Sequence, residues 1–490
     1  MCLSHQRLDN LDMEKMRTVG LVIGFLIVSS TAFGKDICTE NMEQLTAAIA
    51  SASAGDRIVM ANGIWRDAQI VFSGTGTADQ PITIIAETPG QVVLTGESQL
   101  QIAGKYLVVD GLWFKEGALK SGHIVQFRGQ AGATQNCRLT NTAITDYNPP
   151  DKKIDYRWVS LYGQNNRVDH CYFRGQTHAG VTVTVWVENE PNDHVIDHNY
   201  FAGRPPLGRN GGETIRVGTS DVSMTESRTV VEYNLFEHCD GELEIISNKS
   251  CGNMYCYNTF RASKGMLTLR HGNGCLVEGN FFFGDGVEKT GGVRIIGEDH
   301  VVVNNYFEGL LGTGGNSALV IVDGIPNSKL NEYFQVKRAL IAFNTFVNCR
   351  QVFEIGNVKG ERGRMLTPED VVIANNLVCV SQTDRPIVTL VDTLFNGKWE
   401  GNLFYGGDIG IESTGIFVAD PQLEQVDGLY RLGEKSPAID LATGDYSNIV
   451  WDLDGQNRAG KKDVGCDEWS TEKVQNRPVT KGDVGPVWMR

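Results

Sequence analysis

The sequence predicts a right-handed parallel β-helix, an all-β solenoid closed by a short N-terminal capping helix and a C-terminal cap. Three observations predict it. A motif of β-branched residues, one or two polar residues that often include Asn, and an aromatic recurs along the middle of the chain. Its spacing is nearly constant: Phe236, Phe260, Phe282 and Phe307 lie 24, 22 and 25 residues apart, which suits coils of two or three short strands. Glycine is frequent and proline is not, 56 against 14 in 490 residues, so the chain turns often without a collagenous or disordered composition. A propeller would need a period nearer 40, and a sandwich a cleaner alternation of polarity.

The elements follow in order. Met16-Arg17 precedes the apolar run VGLVIGFLIVSSTAFG, which ends in a small-x-small pattern before Lys35, the form of a cleaved secretory leader. Residues 1–34 are therefore expected to be an upstream extension plus signal peptide, with translation starting at Met16. The mature chain, 35–490, is then a single secreted or periplasmic domain. The run is short for the roughly 20 residues of a membrane span, so no membrane association is expected after cleavage. Within residues 36–60, ENMEQLTAAIASASAGD reads as an amphipathic helix closing the first coil.

The motif then appears as YLVVDGLWF (106–114), RVDHCYF (167–173), HVIDHNYF (194–201), TVVEYNLF (229–236), NMYCYNTF (253–260), CLVEGNFF (275–282), HVVVNNYF (300–307) and LIAFNTF (340–346). VVIANNLV (371–378) and EGNLF (400–404) are its last copies. Stacking at the inter-strand spacing makes ladders of equivalent residues, aromatic ones inside and Asn at the bend bonding to the coils above and below. The longer gaps, Phe201 to Phe236 and Phe307 to Phe346, mark inserted loops, which in solenoids gather on one face and form the cleft. From about residue 405 the repeat fades into SPAIDLATG and DLDGQNRAGKKDVGCDEW, read as terminal coils and cap. DLDGQNRAG lacks the Glu that would complete an EF-hand. The 11 cysteines sit mostly inside strand runs without a C-x-x-C pair, which favours packed thiols over disulfides, zinc or redox chemistry.

The formal net charge is −15, which argues against nucleic acid or an anionic membrane as partner. An acidic ligand remains compatible with a locally basic site. In GELEIISNKSCG (241–252), Glu242 and Glu244 share one face if the run is a strand. Two like charges that close need a cation, a shared proton or water. Lys249 and Arg270, 21 residues apart, and Arg294 fall at nearly the same phase before their own Phe, so the three cations are expected to climb one outer face, with His271 beside Arg270. In NGGETIRVG (210–218), Asn210 and Glu213 precede the previous coil's strand. Asn210, Glu213, Glu242 and Glu244 would make an all-oxygen site suited to Ca²⁺.

A cation site beside basic residues fits a uronic-acid polymer. Removing the C5 proton of a uronate places charge next to a carboxylate, and Ca²⁺ can neutralise that carboxylate. A Lys can take the proton while an always-charged Arg steadies the departing glycosidic oxygen. The reaction is β-elimination.

The repeat, NGGETIRVG, the E-L-E-I-I-S-N-K run (242–249) and LRHG (269–272) together resemble polysaccharide lyase family six, which contains alginate lyases and chondroitinase B. The resemblance covers nearly the whole mature chain. It implies that Asn210, Glu242 and Glu244 ligate Ca²⁺ with a contribution from Glu213, that Lys249 is the Brønsted base and Arg270 the acid, and that His271 and Arg294 contact substrate. It implies an exported lyase acting on alginate, with dermatan or chondroitin sulfate as the alternative substrate. The other readings are a glycoside hydrolase, which two metal-facing carboxylates fit poorly, a C5-epimerase, and a non-catalytic β-helical carbohydrate-binding protein.

Overall fold

The computed structural model describes residues 34–129, 132–381 and 383–490; residues 1–33 of the expected extension and leader lie outside them. Among the described residues no helix is long and apolar enough to cross a membrane. The chain is a right-handed parallel β-helix with three sheets. Each coil visits them in turn, so strands of successive coils pair in parallel. The first sheet has 14 strands, from Asp36–Thr39 to Lys398–Glu400, and the second has 14, from Gly63–Arg66 to Ile416–Val418. The third has 13, from Gln69–Thr75 to Val388–Leu390, including the short off-path Gly132–Ala133.

The ladders expected from the repeat are present. Phe201, Phe236, Phe260, Phe282, Phe307 and Phe346 are in register and stack with ring centroids 4.6 to 4.9 Å apart. At the bend before each, and in the two coils that follow, Asn199, Asn234, Asn258, Asn280, Asn305, Asn344, Asn376 and Asn402 form a fully buried chain in which each side-chain amide donates to the next Oδ1 at 2.9 to 3.0 Å. Backbone polarity at an interior bend has no water to turn to, and this ladder satisfies it.

The helix Met42–Ser51 closes the first coil. The Asn41 side chain accepts from Gln44 N–H at 3.0 Å while Gln44 Oε1 accepts from Glu40 N–H at 2.7 Å, a reciprocal cap. Leu45, Ala48 and Ile49 turn inward. The ten described cysteines are free thiols, most of them buried.

Past residue 405 the chain adds a hairpin, Leu423–Val426 with Leu429–Leu432, and then runs back along the outside of the coils. Val479 N–H donates to Thr259 Oγ1 (2.8 Å), Gly485 N–H to the His198 carbonyl (2.9 Å) and Trp488 Nε1 to the Asn141 carbonyl (3.0 Å). DLDGQNRAG anchors this return. Asp452 accepts from Gln456 and Glu468 N–H groups, and the buried Arg458 bonds Glu468 (2.6 Å), Asn304 Oδ1 (3.0 Å) and the Gly465 carbonyl (2.7 Å).

Candidate active site

The site lies on the outer face of the third sheet. Its strands here are Ile215–Gly218, Glu244–Lys249, Gly265–His271, Thr290–Ile295 and Leu319–Val322. Alternation sends Ile215, Ile246, Leu267, Val293 and Leu319 into the core. The intervening row, Arg216, Ser247, Thr268, Arg294 and Val320, runs in register along the face.

Glu213, Glu242 and Glu244 converge, their carboxylate oxygens lying within 4.8 Å of one another. The expected two-residue strand repeat is not how they meet. The strand starts at Glu244, Glu242 lies in the bend before it, and Glu213 comes from the turn ahead of Ile215. Glu213 is buried, with no hydrogen-bond partner for Oε2. Burial, with Glu213 and Glu244 alongside, pushes the Glu242 carboxyl up to about 8, against the pull of the Gly212 N–H and Lys249. Three oxygen-only acids with an unsatisfied buried oxygen match the donor set of a hard divalent cation. Asn210 is exposed in the bend three residues before Glu213.

Two cations border the acids. Lys249 Nζ is 4.0 Å from Glu213 and Arg270 Nε is 3.7 Å from Glu244, whose other oxygen accepts from Ser247 Oγ. The expectation of one cationic ladder needs correction. Asn248 pairs with Leu269 but Lys249 pairs with His271, so Arg270 is the extra residue of a β-bulge, and Arg294 pairs with Thr268. A bulge re-aims the residue it inserts. His271 is buried; burial, Arg270 and Lys249 push its imidazole down to about 3. Its Nδ1 faces the Arg270 guanidinium at 3.3 Å and so accepts, which leaves Nε2 to donate to Ser220 Oγ, also at 3.3 Å.

Tyr333 and Arg364, absent from the sequence-based set, complete the site. Tyr333 sits in the insertion between Val322 and Leu340. Its ring is 4.0 Å from the Arg270 guanidinium, 3.7 Å from that of Arg364 and 5.9 Å from that of Arg294. The neighbouring Glu332 and Asn331 carbonyls accept from Arg270 at 2.8 and 3.5 Å. Burial raises the Tyr333 phenol, but the three guanidiniums outweigh it and hold it below the usual tyrosine value. Burial pulls Arg270 below the usual arginine range. The long gap before Phe346 signals the insertion in the sequence; nothing there signals which of its residues reaches the site.

The same face continues toward the N-terminal coils. Trp186 and Tyr162 stack at 5.6 Å with an interplanar angle of 6°. Arg216 and Arg157 lie 5.5 and 5.7 Å from Trp186, and Arg128 4.9 Å from Tyr162. Flat rings edged by guanidiniums suit a sugar chain that carries carboxylates.

Comparison with known proteins decides the family. A sequence profile described as Chondroitinase B matches residues 39–436. The chain belongs to the chondroitinase B family. This is polysaccharide lyase family six, as the motifs imply. Members of solved structure superpose over most of the helix. The polysaccharide lyase family six alginate lyase AlyGC is 38% identical with a TM-score of 0.82, covering 92% of this chain and 58% of AlyGC. A mannuronic acid specific family six lyase from human gut microbiota is 32% identical with a TM-score of 0.72, covering 79% of this chain and 91% of that one. A family six alginate lyase in complex with a trisaccharide is 26% identical with a TM-score of 0.73, covering 94% and 96%. The present chain thus spans 58% of the length of AlyGC. A comparison with curated proteins finds no match.

Proposed function

We propose that this chondroitinase B family member is a polysaccharide lyase that cleaves alginate by β-elimination. The observation that carries the reading is the bracketing of a three-carboxylate cluster by Lys249 on one side and Arg270 on the other, on a face lined with arginine. Glu213, Glu242 and Glu244, joined by the Asn210 amide oxygen, would hold Ca²⁺, which when bound supplies positive charge against the uronate carboxylate. The Lys249 amine takes the C5 proton. The freed electron pair forms the C4–C5 double bond as the C4–O bond breaks, Arg270 steadies the departing glycosidic oxygen as it takes up a proton from solvent, and Lys249 later returns its own proton to solvent. His271, buried and held neutral, orients Arg270, and Arg294 contacts substrate. Trp186 and Tyr162 carry neighbouring sugars. No water is consumed, and the new non-reducing end is an unsaturated uronate.

Alginate is favoured because the solved relatives described above are named as alginate or mannuronic acid lyases. Dermatan sulfate is the second reading, favoured by the name of the matching family profile. Export follows from the leader read in residues 16–34. The test is the ultraviolet absorbance of the unsaturated product with poly-mannuronate, poly-guluronate and dermatan sulfate offered separately in the presence of Ca²⁺. A rise on an alginate block that Lys249→Ala abolishes in a folded protein is the expected result. A rise on dermatan sulfate alone transfers the activity to the second reading, and a flat trace on all three refutes the lyase.

A further inference from the structure

We propose that Arg204 is the positioning residue of the acid cluster, fixing through its planar fork of donors the two glycine turns that present Glu213 and Glu242. The inference rests on the reading of that cluster as a Ca²⁺ site and deepens it.

Arg204 ends the strand Tyr200–Arg204 and is buried. Among the described residues it forms no ion pair. Its guanidinium instead donates to neutral acceptors: Nη1 to Gln176 Oε1 (2.6 Å) and Thr182 Oγ1 (2.5 Å), Nη2 to the carbonyls of Gly180 (2.7 Å) and Gly211 (3.2 Å). Gly211 leads through Gly212, whose N–H reaches the Glu242 carboxyl, into Glu213. The second turn rests on the same side chain. A Cβ built on Gly241 would lie 2.1 Å from the Gly212 carbonyl oxygen and 2.6 Å from Arg204 Nε, so only glycine lets the chain pass between them before Glu242. Asp240 N–H donates to the Arg204 carbonyl (2.8 Å) and Leu207 N–H to the Gly241 carbonyl (2.9 Å). The turns also touch each other, since a Cβ on Gly212 would lie 2.5 Å from the Gly241 carbonyl oxygen. One buried side chain therefore touches both turns.

A buried cation without a contacting carboxylate is costly, and an apolar or amide side chain would fill this volume at less expense. Something outside its own bonds must offset it. Glu213 and Glu242 strengthen its hold on the proton from a distance, opposing burial. Glu213 Oε2, buried without a partner, shows that the acids are not there to pair with Arg204. The acids need a cation in front of them, and Arg204 aligns them from behind. Lysine could keep the charge here but could not serve four acceptors in one plane.

The test is calorimetric Ca²⁺ titration of the wild-type chain and of Arg204→Lys, Arg204→Met and Gln176→Leu, with melting temperatures of the metal-free proteins. Loss of a residue that orients metal ligands typically costs about 10- to 100-fold in affinity, and that loss is expected for both Arg204 variants, Arg204→Lys included. Gln176→Leu, which removes one of the two Nη1 acceptors and leaves Thr182 Oγ1 while keeping the arginine, should fold normally and lose less. Excess Ca²⁺ should restore turnover to Arg204→Lys. Wild-type affinity in folded Arg204→Lys overturns the proposal, whatever Arg204→Met does, because charge alone would then suffice. Unchanged affinity in every variant that folds overturns it as well. A wild-type chain that takes no Ca²⁺ overturns the cation reading, and the proposal falls with it.

Discussion

Replacing Tyr333 by Leu removes the ring held between Arg270 and Arg364 while keeping an apolar side chain. The ring centroid is 4.0 Å from one guanidinium and 3.7 Å from the other. At partly desolvated contacts, each cation–π face is worth about 1 kcal/mol, so the pair is worth about 2 kcal/mol. Arg270 keeps its carbonyl bond to Glu332 and its approach to Glu244, so it stays present but loosely aimed. If the ring's contribution is realised when Arg270 engages the leaving oxygen, about 2 kcal/mol becomes about a 30-fold loss in kcat/KM at 1.36 kcal/mol per tenfold. The assay is the initial rate of unsaturated product on the preferred substrate, with the melting temperature measured in parallel. Tyr333 belongs to an insertion outside the stacked coils, so the melt should hold. Tyr333→Phe keeps both ring faces and should retain most of the activity. An unchanged kcat/KM in Tyr333→Leu would refute the clamp. A Tyr333→Phe variant as impaired as Tyr333→Leu would move the role from the ring to the hydroxyl.

Chelation should stop turnover and Ca²⁺ should restore it; full activity in a demonstrably metal-free chain would sink the cation reading. Asn280→Ala should destabilise the helix by about 3 kcal/mol in denaturant melts, because it leaves the buried Asn258 N–H and Tyr255 carbonyl without the partners they have now, at about 1–3 kcal/mol for each orphaned group. Asp169 is buried and bonded by Arg138 and His170. Burial alone would raise its carboxyl, but these partners hold it well below the ordinary value of 3.8. A depressed carboxyl contributes stability above its unfolded value and loses it as pH falls further. Asp169→Asn should therefore melt lower than wild type at neutral pH, and the gap should narrow below about pH 4.

The repeat was legible because a ladder requires the same side chain in every coil. Phe at the core and Asn at the bend are repeated by a packing rule, so their spacing in sequence is their stacking in space. The convergence of Glu213, Glu242 and Glu244 with Lys249 and Arg270 was legible for the same reason, since residues one coil apart become neighbours. Register was not. Counting residues placed Lys249 above Arg270, whereas the strands place it above His271. A bulge costs one residue of phase and leaves no mark in composition, yet it decides which side chain leaves the ladder and points into the site.

The unread residues divide by cause. Tyr333 and Arg364 lie in insertions, where no periodicity constrains a position and only the folded loop shows what reaches the sheet. Arg204 lies within the repeat, at the end of YFAGR, where an arginine ordinarily reads as an outward, solvated charge. Its burial comes from the acceptors that Gln176, Gly180 and Thr182 of the preceding coil and Gly211 of its own turn toward it, four groups that no local pattern connects. The sequence thus displays the groups that would face a substrate more readily than those that aim them. The former repeat the chemistry of a ligand, and the latter answer only to the shape of the fold behind them.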